Sequence, residues 1–213
     1  MRANIVVDTY YLQGEWTKCV EWCLKLGEAT DNALQGDWRY KDFREDGRID
    51  PDAWFEKSPC LTWVMYLSDG LAWSAIGQHW ALVDSLLAFP TEKTVPDDDG
   101  RAARNYYVGL ARWWKDSADV AWIGSVKEAR GAGSKGYHLL CVVVEAISKK
   151  DPQTTATALQ KYVEWFLKQR LHEEQFPLNA SFLWQVARRQ GMALSLPDEI
   201  DKFLFRIPEE SMR

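Results

Sequence analysis

Apolar residues recur at helical spacing through most of the chain. A period of 3.6 residues places them on one face of a helix, which packs against neighbouring helices. The pattern predicts an all-α protein, a single bundle of roughly eight to ten helices with room for solenoid-like stacking of helix pairs. The clearest stripes run from Leu61 to Ile76, Tyr106 to Trp114, Leu159 to Leu167 and Phe182 to Ala187.

The segment from Leu139 to Val144 has no clear period, because all six residues are apolar and three are successive valines. Such a run fits a buried strand, but a lone strand lacks a hydrogen-bonding partner and no second convincing strand is present. We therefore interpret the segment as a helix that is buried over most of its circumference.

Helix boundary signals agree with this interpretation. Asp151 precedes Pro152, and Ser58 precedes Pro59, so each proline takes the first helical position after a capping side chain. Arg188 and Arg189 come just before Gly191, which suits the last turn and left-handed cap of a helix. Polar segments over 35–51 and 90–100 are predicted loops, and nothing divides residues 1–213 into two domains.

Net charge, cysteine spacing and the absence of long apolar runs narrow the range of possible partners and cellular locations. The net charge of −5 and the pI near 5.3 argue against nucleic acid as a direct partner and favour a basic protein partner. Cysteines at 19, 23, 60 and 141 lack zinc-ligand spacing and are expected to be buried in a reducing compartment. We predict a cytoplasmic protein, since neither a signal-peptide core nor an apolar run of about 18 residues is present.

No motif points to catalysis. The Gly131–Gly136 segment reverses the Lys-Ser order of a phosphate-binding loop and follows a predicted helix rather than a strand. The three histidines lack the spacing of a helical metal site. We therefore expect no catalytic residue, no metal and no cofactor, and we expect that the protein is not an enzyme.

Two aromatic residues differ in their surroundings from the other tryptophans. Seven tryptophans lie on helical apolar faces and are assigned to the core: Trp16, Trp63, Trp73, Trp80, Trp114, Trp165 and Trp184. Trp38 and Trp54 instead lie among acids and turns, a pattern typical of a protein-binding hot spot with electrostatic steering, although packing against the core explains them equally well. The candidate partner-binding residues are Trp38, Asp46, Asp50, Trp54, Asp97, Asp98 and Asp99.

Several stretches together resemble the immunity protein 49 family of bacterial polymorphic-toxin systems, or a related all-helical immunity family. The resemblance implies an all-helical cytoplasmic protein that binds and neutralises a cognate toxin domain by stoichiometric occlusion, with no shared catalytic residues. It does not identify the toxin, the contact face or the oligomeric state. The matching stretches are Leu71 to Pro90, Tyr106 to Trp113, Glu145 to Asp151, and Ser181 to Gly191 with the Leu196-Pro197 and Pro208 to Ser211 segments.

Two other functions stay open. A helical-repeat adaptor would bind peptides on a concave surface lined by aromatic residues. A helical enzyme would need a pocket of convergent polar groups, for which His79, or His138 with Glu145, are the candidates.

The acidic run gives the first prediction. Replacing Asp97, Asp98 and Asp99 by lysines should slow association with a basic toxin domain, because the steering attraction becomes repulsion. Stopped-flow association rates measure the effect, and an unchanged rate would remove this segment from the interface.

Overall fold

All regular structure among the described residues is helical, as the periodicity predicts. The computed structural model describes residues 7, 10–34, 60–89, 91, 100–131, 134–169 and 176–208. The helices of this part are α1 (Trp16–Leu34), α2 (Cys60–Ile76), α3 (Trp80–Leu87), α4 (Arg101–Lys115), α5 (Ile123–Glu128), α6 (Ser134–Ser148), α7 (Pro152–Gln169), α8 (Leu178–Arg189) and α9 (Asp198–Asp201).

Helices α2 and α8 form the centre of the bundle. Helix α2 packs against α1, α3, α4 and α8, whereas α8 also contacts α6 and α7. Every residue of α8 from Ala180 to Ala187 is buried, including Ser181 and Gln185. The sequence predicts an amphipathic helix here, and that expectation is wrong for these two turns because neighbours enclose α8 on all sides.

The apolar run from Leu139 to Val144 lies within helix α6, which confirms the helical interpretation. Leu140, Cys141, Val143 and Val144 are buried, and Val142 is the one member of this run on the exposed side. Helix α6 packs lengthwise against α7 and also contacts α4, α5 and α8. Partners on several sides explain why its sequence shows no polar stripe.

The predicted helix boundaries are confirmed where the structure describes them. The Asp151 carboxylate accepts a hydrogen bond of 3.0 Å from the backbone N–H of Thr154 and caps α7, which begins at Pro152. Gly191 has φ of +82° and ends α8 with a bond of 2.8 Å from its N–H to the Arg188 carbonyl. Gln78 and Lys150 take the same left-handed conformation after α2 and α6, although neither is a glycine.

The two ends of the described chain meet in one aromatic cluster. The Tyr11 ring lies 3.8 Å from that of Phe205, and Phe205 also contacts Trp73 and Phe176. The backbone N–H of Phe205 donates to the Ser181 hydroxyl oxygen at 2.9 Å, which fixes the segment after α9 on α8. A solenoid repeat contacts only its neighbours, so this closure and the α2–α8 contact define a bundle instead. The single-domain assignment stays a prediction.

Some helix pairs approach closely because a glycine faces an aromatic ring. A Cβ atom added at Gly109 of α4 would lie 2.0 Å from Cδ2 of Trp122, whose ring is buried. In the same way, Gly136 of α6 lies against the Trp165 ring of α7. By contrast, a Cβ added at Gly124 of α5 would meet nothing within 4 Å.

These contacts predict opposite effects of one substitution at two sites. Gly109→Ala should lower the free energy of unfolding by about 1–3 kcal/mol, because the methyl group forces the Trp122 ring out of its place. Gly124→Ala should raise it by roughly 0.5–1 kcal/mol through helix propensity alone. Urea denaturation of both variants measures the difference, and equal midpoints would contradict this packing.

Candidate functional site

The partner-binding residues predicted from the sequence lie outside the described part of the chain. These are Trp38, Asp46, Asp50, Trp54, Asp97, Asp98 and Asp99. Their roles stay predictions. The structure instead reveals a cleft among residues that the sequence pattern assigns to the core and to helix capping.

The cleft lies where the start of α3 meets the ends of α4 and α8. Trp80 is the first residue of α3, and Trp114 lies one residue before the end of α4. Their rings stack with centroids 6.2 Å apart and planes inclined by 20°. Both side chains are half-buried, so the prediction that they belong to the core is wrong in part.

Arg189, the last residue of α8, holds its guanidinium against this stacked pair. Its Cζ atom lies 4.4 Å from the Trp80 ring centroid and 5.4 Å from that of Trp114. Both distances fall in the range of a cation–π interaction, which contributes about 0.5–1 kcal/mol at exposed sites. The side chain is thereby held at the cleft, beyond the helix-dipole role that the sequence suggests for it.

Hydrogen bonds fix the two adjacent tryptophans of α4 in different environments. The indole N–H of Trp113 donates to the Ser148 hydroxyl oxygen of α6 at 2.7 Å, and its ring is buried. The indole N–H of Trp114 donates to the Asp84 carboxylate of α3 at 2.6 Å. Trp113 therefore anchors α4 in the core, and Trp114 forms one wall of the cleft.

The cleft has a volume of about 290 Å³. That is near the lower end of small-molecule pockets and suits one or two protein side chains. Its walls combine indole rings, an aliphatic side chain, a carboxylate, a guanidinium, a hydroxyl and an amide. The lining residues are Asp84, Trp113, Trp114, Ser117, Val186, Arg189 and Gln190.

The cleft lies far from Gly100, the residue that follows the acidic run Asp97–Asp99 in the sequence. Gly100 is the N-cap residue of α4, and Trp114 lies near the other end of that helix. At 1.5 Å per residue the two ends are about 20 Å apart. The acidic segment is thus joined to the end of α4 that is remote from the cleft.

Two of the candidates for catalysis, His138 and Glu145, have structural partners, whereas the buried Nε2 atom of His79 has no hydrogen-bond partner among the described residues. His138 Nε2 lies 2.9 Å from the Val126 carbonyl oxygen, and Glu145 pairs with Lys149 at 2.9 Å. His172 lies outside the described residues.

The segment compared with a phosphate-binding loop also has a structural explanation. Ser134 and Lys135 form the first turn of α6, which follows helix α5 rather than a strand. Across the described ranges, no group of three or more His, Cys, Asp or Glu side chains is placed to hold a metal ion.

The cysteines in the described core are free thiols with little nucleophilic character. Cys19, Cys23 and Cys141 are buried, as the sequence predicts. Burial raises the pKa of Cys141 to about 12. The pKa of Cys23 also lies well above its usual value, through its hydrogen bond with Cys19 and through burial.

Sequence reasoning missed the cleft because its residues come from three distant segments. The Trp113-Trp114 pair is the local signal, since adjacent helical positions point about 100° apart and cannot share one face easily.

No family model, curated protein or solved structure matches this chain. Within the described part of the chain, no helix is both long and apolar enough to cross a membrane.

Thiol labelling tests the assignment of the cysteines. In a Cys60→Ser variant, the remaining three thiols should react with a disulfide reagent at pH 8 only after denaturation. A pKa near 12 leaves about one Cys141 thiol in ten thousand ionised at this pH, and burial blocks access. The labelling rate with and without denaturant measures protection, and fast labelling of the folded variant would reveal a reactive thiol.

Proposed function

We propose that this protein is an immunity protein, which binds and neutralises a cognate bacterial toxin domain by stoichiometric occlusion. The proposal rests on the resemblance to immunity protein 49 and on one structural observation. That observation is the cleft lined by Trp114 and Arg189, beside which the half-buried Trp80 ring stacks on Trp114 and contacts Arg189.

The residue types of the cleft favour a protein partner. Tryptophan and arginine are the residues most enriched among binding hot spots, where a few side chains carry most of the binding energy. Trp114 offers a ring edge and Asp84 a carboxylate within one small cleft. Such a cleft suits an inserted partner side chain surrounded by a wider rim of weaker contacts.

The cleft is also rigid, which favours tight binding. Trp114 is held by its 2.6 Å hydrogen bond to Asp84, and the neighbouring Trp113 is held in the core by Ser148. Because these rings are ordered before binding, association costs less conformational entropy than ordering flexible loops would. Neutralising a toxin requires tight binding, and a nanomolar dissociation constant corresponds to a binding free energy of about −12 kcal/mol. A low entropic cost of association helps to reach this value.

The charge of the chain supports a basic toxin, such as a nuclease. A net charge of −5, with Asp46, Asp50 and the acidic run Asp97–Asp99, steers a positively charged partner toward this protein. Steering raises the association rate, whereas buried aromatic anchors slow dissociation. We assign these two roles to the acidic segments and to the cleft.

Calorimetric titration against the toxin domain encoded beside this protein tests the proposal. The expected result is one-to-one binding with a nanomolar constant and loss of toxin activity at equimolar ratio. No detectable heat at micromolar concentrations, with both proteins folded, would contradict the immunity function and favour the helical adaptor instead.

Two tryptophan-to-alanine variants test whether the cleft contacts the toxin. Trp114→Ala should weaken toxin binding by about 30-fold, the scale of a 2 kcal/mol hot spot. The matched control is Trp22→Ala on α1, which removes another half-buried tryptophan with a cation, Lys25, 5.0 Å from its ring centroid. Equal loss of affinity in both folded variants would show that the cleft is not the anchor.

A further inference from the structure

We propose that the cleft between α3, α4 and α8 receives a carboxylate side chain, Asp or Glu, from the partner protein, and that Arg189 binds it. This inference rests on the proposed function for the identity of the partner. The choice of a carboxylate as the occupant rests on the side chains that line the cleft.

No described residue forms a hydrogen bond or an ion pair with the guanidinium of Arg189. A guanidinium carries five N–H donors in a planar fork that matches a carboxylate. Among the described residues, the contacts of Arg189 are those with the Trp80 and Trp114 rings, and no carboxylate lies within ion-pairing distance of it. The aromatic contacts place the guanidinium at the cleft before a partner arrives, and a cation–π contact uses none of its N–H donors in hydrogen bonds.

The indole faces argue against a basic occupant. A lysine or arginine from the partner would bind best over an aromatic face. Arg189 already lies over both rings, at 4.4 and 5.4 Å from their centroids. An incoming cation would therefore meet a like charge at the position that it prefers.

The other polar groups of the cleft are compatible with a single carboxylate. Asp84 stands on α3 and already accepts a hydrogen bond from Trp114, which offsets part of its charge. Gln190, the residue that follows α8, also lines the cleft and carries a side-chain amide with two N–H donors. The α8 side of the cleft is thus rich in donors. Asp84 and the overall acidity disfavour a polyanion such as nucleic acid.

The first experiment tests the chemistry without the toxin. Sodium acetate is titrated into ¹⁵N-labelled protein at constant ionic strength, and the Arg Nε–H and Trp Nε1–H resonances are followed by NMR. The Arg189 and Trp114 signals should shift saturably with a midpoint on the order of 100 mM, the scale of one charge-assisted contact. Assignment uses Arg189→Lys and Trp114→Phe variants. A linear response, or an equal response to methylguanidinium chloride, would overturn the proposal.

The second experiment uses the complex with the toxin domain. Arg189→Gln should weaken toxin binding by about 30-fold. Arg188→Gln is the matched control, because it removes the same charge from the adjacent residue, which lies 4.8 Å from Trp184 and does not line the cleft. The control should change binding less than threefold, whereas equal losses would overturn a specific role for Arg189.

The two experiments separate this inference from the proposed function. Saturable acetate binding without any toxin binding would retain the carboxylate site and reject the immunity function. Nanomolar toxin binding that Arg189→Gln leaves unchanged would retain the immunity function and overturn the inference.

Discussion

The burial of α8 is the constraint on which the rest of the structure depends. Eight consecutive residues of this helix, from Ala180 to Ala187, are enclosed by neighbours. This stretch has no solvent face, so its polar side chains depend on partners inside the protein. The Gln185 amide nitrogen and the Trp184 indole nitrogen have none among the described residues, but other groups find one. Ser181 does so by accepting the backbone N–H of Phe205, which couples the last described segment to the centre of the bundle.

The end of α8 then determines the position of the cleft. Arg188 and Arg189 are the first residues after the buried stretch to reach solvent, and each lies over a tryptophan ring. Because α8 packs on α2, and α2 on both α3 and α4, the ring stack and the arginine are placed by core contacts. The position of the cleft is therefore set by the helices that form it, although the sequence pattern assigns its residues to the core and to helix capping.

The sequence predicts the helices better than it predicts their surroundings. Helical periodicity and capping signals depend on residues within a turn or two of each other, which is why the α7 start at Pro152 and the α8 end before Gly191 are confirmed. The left-handed caps at Gln78 and Lys150 carry no glycine signal and were not predicted. Contacts such as Tyr11 with Phe205, or Trp80 with Trp114 and Arg189, join distant segments. No local pattern encodes such contacts, so the half-buried state of the two cleft tryptophans could not be foreseen.

Arg189 is exposed and lies against two tryptophan rings. Stacking alone contributes little at an exposed site, about 0.5–1 kcal/mol, and leaves the hydrogen-bonding edge of the guanidinium in water. A carboxylate from a partner would gain a bidentate, charge-assisted contact with the guanidinium, which is stronger than a hydrogen bond between neutral groups. A toxin that is basic overall still carries acidic side chains, and a single well-placed one would give the complex its register. General attraction between opposite charges and specific recognition at Arg189 are therefore compatible, because they act at different distances and on different surfaces.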